Sequence, residues 1–137
     1  MELTISTAAR DVLVDITEKV ETAVQSSGYT GDGMLHVYVP HTTAGVTINE
    51  GADPAVIRDI LAALARAVPR DAGYHHIEGN SDAHIKTSLI GNMVAVPVHQ
   101  GRLRLGTWQH IYLAEFDGPR TRRVWLSLSP TVPPDTQ

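Results

Sequence analysis

Cysteine is absent from this chain of 137 residues. Disulfides, zinc–thiolate centres and thiol nucleophiles are therefore excluded, which fits a cytoplasmic protein. A basic excess is missing too: the formal charge is −4, whereas nucleic-acid-binding domains carry clustered positive charge. No apolar run approaches the ~20 residues of a membrane span. The opening Met1-Glu2-Leu3-Thr4-Ile5 lacks the basic-then-apolar order of a secretory signal. Phenylalanine occurs once, against seven histidines. Imidazole and carboxylate are thus the groups left for metal or proton chemistry. With 42% hydrophobic and 19% charged residues, the chain has the composition of a folded globular protein and enough length for one buried core.

Leu3 and Ile5, then Val12 and Val14, alternate with polar neighbours and predict two opening strands. Asp15 and Glu18 have capping-box spacing for a helix whose apolar face is Ile16, Val20, Ala23 and Val24, with Gly28 to end it. Strands are expected over 33–39 and 45–49. The next helix is marked at both ends. Asp53 caps it, Pro54 takes its first position, and Pro69 stops it after a broad buried stripe of Val56, Ile57, Ile60, Leu61, Leu64 and Val68. A histidine-rich loop over 74–82 leads to a short helix over 83–90. Further strands are expected at 93–98, 102–105, 107–115 and 121–127, with turn signals at Gln100-Gly101 and Asp117-Gly118-Pro119. These patterns predict one compact α+β domain over residues 1–128. It is mostly antiparallel sheet, with two main helices and one short helix covering one side, followed by a flexible tail over 129–137.

Three polar segments interrupt this packing pattern. In the first, Pro40-His41-Thr42-Thr43-Ala44-Gly45-Val46-Thr47-Ile48-Asn49-Glu50, polar groups flank a short strand. Fully extended at about 3.3 Å per residue, His41 and Glu50 stand roughly 30 Å apart. A bend at Gly45 would shorten this; otherwise there are two sites, or a neighbouring subunit supplies one end. Plain strand-edge and turn polarity would account for both ends equally. The second segment runs from Tyr74 to Ser88. His76 and His84 match no established metal spacing, but a folded-back loop could join them to His41 as three imidazoles for a divalent ion. A cap at Asp82 would place His84 in a first helical turn, where the imidazole is kept neutral. The same helix end, with Lys86, Thr87 and Ser88, could hold a phosphate. A solvated loop with a helix cap is the plainer alternative. In the third segment, Gly101 to Gln109, Leu103 and Leu105 face the core while Arg102 and Arg104 face away. Gly106 marks a close approach, and Trp108 is expected in strand as a core residue. Arg120, Arg122 and Arg123 either bind anions or keep an edge strand from pairing.

Taken in order, His41-Thr42-Thr43-Ala44, Asn49-Glu50, Asp53-Pro54, Tyr74-x-His76, Asp82-x-His84-Ile85-Lys86-x-Ser88-x-x-Gly91, Pro97-Val98, Gly101 and Leu105-Gly106-Thr107-Trp108-Gln109 form one pattern. That pattern, over roughly residues 1–128, resembles the YjbQ-like family, also described as secondary thiamine-phosphate synthase enzymes. The resemblance implies a homotrimer that weakly joins a pyrimidine diphosphate to a thiazole phosphate, releasing pyrophosphate. It implies His41, His76 and His84 as ligands of a divalent metal, zinc or magnesium. Asn49 would orient the substrate, and Glu50 would act as acid/base or fix an imidazole. Thr43, Lys86, Ser88, Thr107, Trp108 and Gln109 would contact substrate, with Trp108 as an aromatic wall for a carbocation-like pyrimidine. The alternative is a non-catalytic trimeric module that binds a metal or small anion. Neither nucleic acid nor membrane is an expected partner. His36, His75, His99 and His110 stand outside the pattern and receive no site role. Glu50, Asp53 and Asp82 are scattered and form no aspartate-rich magnesium motif.

Overall fold

The computed structural model describes residues 1–132, so most of the expected tail, from 133 on, lies outside the described residues. Alternating residues resolve into two antiparallel sheets. One has the order β1-β8-β3-β5-β6, from β1 (Glu2–Ser6), β3 (Gly33–Tyr38), β5 (Met93–His99), β6 (Arg102–Leu103) and β8 (Thr121–Pro130). The other has the order β2-β7-β4, from β2 (Val12–Asp15), β4 (Ala44–Glu50) and β7 (Gln109–Glu115). Ile5, Leu35, Val37, Val96, Val124 and Leu126 of the larger sheet meet Val46, Ile111 and Leu113 of the smaller one in the main core.

Three helices complete the α+β fold, but they do not all cover one side. Helix α1 (Thr17–Ser26) sends Val20 and Val24 into the core between the sheets. Helices α2 (Pro54–Ala67) and α3 (Ser81–Ile90) pack on the opposite face of the smaller sheet, around Leu13, Ala83, Tyr112, Ala114 and Phe116. Asp53 caps α2 by accepting the Ala55 N–H at 2.9 Å, with Pro54 in the first turn as expected. Its apolar stripe is only half-buried, because α2 rests on one face of a three-stranded sheet. Helix α1 starts with Ile16 at the N-cap position, while Asp15 accepts the Thr17 N–H and hydroxyl at 3.0 and 2.7 Å. The outer face of the larger sheet exposes Met34, Tyr38, Met93 and Trp125, and the last pairs its ring with Tyr38 at 5.9 Å.

Other expectations are corrected by pairing. Gly45 is no bend: β4 pairs with β7 without interruption from Ala44 to Glu50. A Cβ on Gly45 would overlap the Gly91 carbonyl, so glycine here admits the end of α3 against β4. The strand expected from 107 begins at Gln109, since Gly106 and Gln109 close a turn through two hydrogen bonds of 2.8 and 3.0 Å. The arginines of β8 guard no edge, because β8 lies between β1 and β3. Arg122 turns inward instead. Its Nε and Nη2 donate to the fully buried Glu115 at 2.9 and 2.5 Å, and Nη2 also donates to Thr43 Oγ1 at 2.7 Å. Thr7 Oγ1 and the N–H groups of Phe116 and Asp117 fill the remaining lone pairs of Glu115.

Burial alone would raise the Glu115 pKa, but Arg122, Thr7 and the Asp117 N–H more than offset it and hold it below the ordinary 4.5. A depressed folded pKa gives stabilisation that is complete above the unfolded value and lost as pH falls through the folded one. Arg122→Ala, which strands a buried carboxylate, is expected to cost ~3–5 kcal/mol in denaturant melts at neutral pH. The deficit should shrink as Glu115 protonates in acid; a variant as stable as the parent at neutral pH would remove the pair from the core's energetics.

Candidate functional site

The expected site residues fall at the two ends of the smaller sheet. The seven residues of β4 hold those ends roughly 20 Å apart. His41 and Thr43 precede β4 at one end, where the close of α3, the helix of His84 and Lys86, packs on the strand. Asn49, Glu50, Thr107, Trp108 and Gln109 stand at the other end, where β7 begins.

At the first end, His41 Nε2 accepts the Arg123 N–H at 3.0 Å, and Asn92 Nδ2 ties the loop down through the carbonyls of Val39, His41 and Ala44. Thr43 is buried under Arg122. Helix α3 begins at Ser81, so Asp82 is no cap. It sits fully buried in the first turn and receives both Arg10 guanidinium nitrogens, at 2.9 and 3.0 Å. Lys86 is 3% exposed, with its ammonium 3.4 Å from Asp82 and 3.3 Å from Asp11. It is thereby spent inside the fold, and Ser88 Oγ donates to the His84 carbonyl at 3.0 Å. His76 and His84 do meet, edge to face, with ring centroids 5.4 Å apart, beside a cleft of about 490 Å³ that Tyr74 and Ile85 also line. Among the described residues of one chain, no three metal-ligating side chains converge. One chain thus supplies an imidazole pair, not a complete ligand set.

At the second end, Ile48, Asn49, Glu50, Trp108 and Gln109 line a cleft of about 340 Å³. Trp108 is 63% exposed rather than a core residue, because it sits in the turn ahead of β7. Its ring forms an open apolar wall beside one carboxylate and two amides. Asn49 Oδ1 accepts the Glu50 N–H at 2.8 Å, and the Tyr112 hydroxyl donates to the Glu50 carbonyl at 2.8 Å. Burial, then the charges of Asp15 and Glu50, raise the Tyr112 pKa, so this hydroxyl stays a donor.

The YjbQ-like UPF0047 protein family matches residues 1–131. The chain belongs to this family. A UPF0047 protein of Archaeoglobus fulgidus is 51% identical over 126 residues, covering 90% of this chain and 96% of the relative. The YugU protein of Bacillus subtilis is 48% identical, covering 92% and 96%. A YjbQ/UPF0047 family crystal structure from Clostridium acetobutylicum, 50% identical, superposes with a TM-score of 0.90 over 94% of this chain and 99% of that one. A hypothetical protein from Aeropyrum pernix, 38% identical, also reaches 0.90 over 96% and 98%. These YjbQ-like folds share the architecture described above.

Burial, then the Arg122 charge, pushes the His41 pKa below the ordinary 6.5. The neutral ring is the form that accepts the Arg123 N–H, so this contact is complete above pH 6.5 and is lost as pH falls through the lowered value. Titration followed by imidazole NMR signals is expected to give a His41 midpoint below 6.5; a midpoint above it would contradict the hydrogen bond.

Proposed function

We propose that this YjbQ-like protein is a small-molecule enzyme of the secondary thiamine-phosphate synthase type, working as a homotrimer. It joins a pyrimidine diphosphate to a thiazole phosphate: the bond to the diphosphate breaks with its electron pair leaving on pyrophosphate, while the bond to the thiazole forms. The supporting observation is the open Trp108 face beside Glu50, Asn49 and Gln109. An electron-rich wall favours a flat ring that gains positive charge as diphosphate leaves, and a carboxylate favours the same charge. Among the described residues, the cleft lining holds no cationic side chain for the phosphates. Arg120 and Arg123 lie near the far end of the smaller sheet, beside His41 and Asp117. A second copy is what brings that end to this cleft, which is the argument for assembly. His76 and His84 would supply two imidazoles to a divalent zinc or magnesium ion, which would neutralise diphosphate charge; His41, whose Nε2 accepts the Arg123 N–H, is left out of that set.

Purified protein, the two precursors and a divalent salt are expected to yield thiamine phosphate and pyrophosphate. Trp108→Ala should slow this about tenfold, the size of a ~1.4 kcal/mol cation–π contact, while folding stability shifts by less than ~0.5 kcal/mol. Glu50→Ala should slow it by about a hundredfold if the carboxylate moves a proton. Equal product from both variants would sink the proposed cleft. Metal binding without any product would favour the non-catalytic module instead. Light scattering should return three times the 14.8 kDa of one chain, and a monomer would remove the shared site.

A further inference from the structure

His110 lies one residue past the Trp108-Gln109 pair, and its ring is fixed on several sides. Its Nδ1–H donates to Asp15 Oδ2 at 2.6 Å. The other carboxylate oxygen of Asp15 is held by the Thr17 N–H and hydroxyl. Burial would raise the Asp15 pKa, but the bonds from Thr17 and His110 more than offset it, so Asp15 is ionised and accepts. Gly51 packs against the imidazole so closely that any Cβ there would overlap Cγ, Cδ2 and Nε2. Tyr112 stacks at 6.5 Å and 27°. With Nδ1 committed, Nε2 is the remaining polar atom of a ring that is 38% exposed.

The ring also has a defined neighbourhood. Asn49 is the cross-strand partner of His110, and Glu50 is the partner of Gln109. By strand alternation His110 and Asn49 share one face of the sheet, while Gln109 and Glu50 share the other. The cleft that His110 itself lines, of about 630 Å³, is formed with Asp15 and the Thr17, Glu18, Glu21, Thr22 and Gln25 side of α1. The charged groups around the ring are Asp15, Glu50, Glu18 and Glu21, with the Tyr112 hydroxyl nearby.

We propose that His110 and Asp15 form a proton-transfer dyad in which Nε2 of His110 accepts a proton from a hydroxyl or ring N–H of a small ligand held in the cleft between His110 and α1. Asp15 is the positioning residue: it fixes the Nδ1–H tautomer and balances the imidazolium formed when the proton moves. The proton then returns to the ligand or passes to water, and no other co-reactant is needed. This goes beyond the proposed function, because the cleft it uses is not that of Trp108.

The test is acylation of the intact protein by diethyl pyrocarbonate, with each histidine's rate read by peptide mass spectrometry. Neutral Nε2 attacks one carbonyl carbon, the ring gains an ethoxycarbonyl group, and ethyl carbonate leaves and breaks down to carbon dioxide and ethanol. The displaced ring proton passes to solvent. Above the ordinary histidine pKa of about 6.5, His110 is expected to react about fivefold or more faster than exposed His75. Asp15→Asn retains an acceptor for the Thr17 N–H, but its amide N–H favours the other tautomer, and it should erase that advantage. Gly51→Ala, which displaces the ring, should do the same, with thermal melts confirming that both variants fold. A His110 rate no greater than that of His75 overturns the dyad, and so does a fast rate indifferent to Asp15→Asn. Labelling needs neither ligand nor turnover. A parent that passes this test yet makes no thiamine phosphate therefore overturns the proposed reaction and leaves the dyad standing.

Discussion

The Arg122–Glu115 pair is the interaction on which the arrangement of the two sheets depends. Arg122 belongs to the larger sheet and Glu115 to the smaller one, and both are buried where the sheets come together. A buried ion pair is tolerated only when its lone pairs and N–H groups are satisfied. Here Thr7, Thr43 and two backbone N–H groups complete it, so three stretches distant along the chain, at Thr7, at Thr43 and over 115–122, meet at one carboxylate and one guanidinium. Apolar contacts between the sheets set how closely they approach. The ionic network sets which residues face each other.

That arrangement makes β4 a ruler. It carries the histidine–arginine end and the carboxylate–indole end on one straight strand, paired throughout with β7. A small ligand in one chain can therefore touch one end only. Helix α3 is tied to the same frame by Arg10, Asp11, Asp82 and Lys86, so His84 is placed through the core, while His76 reaches it from the loop ahead of the helix.

Local chemistry was legible where neighbours in sequence decide it. Helix α2 announced itself through Asp53, Pro54 and its stripe, and the strands through alternation. What was not legible depended on pairing between distant segments. Arg122 reads as an edge residue until β8 is known to lie inside the sheet. Lys86 reads as a substrate contact until Asp11 and Asp82 close on it. Trp108 reads as core until the Gly106–Gln109 turn delays the strand. His110 and Asp15 carried no joint signal, because 95 residues separate them and only the β2–β7 ladder makes them neighbours. Asn49-Glu50 and Trp108-Gln109 were each recognisable as unusual, and the β4–β7 register explains why they share one cleft.

The uncovered side of the larger sheet has a thermodynamic corollary. Met34, Tyr38, Met93 and Trp125 stand in water there, against the usual economy of a monomer's surface. Anything that shields them in the folded form and ignores the unfolded chain stabilises the fold by mass action. Where a second copy of the chain supplies that cover, dilution becomes a denaturing variable in its own right.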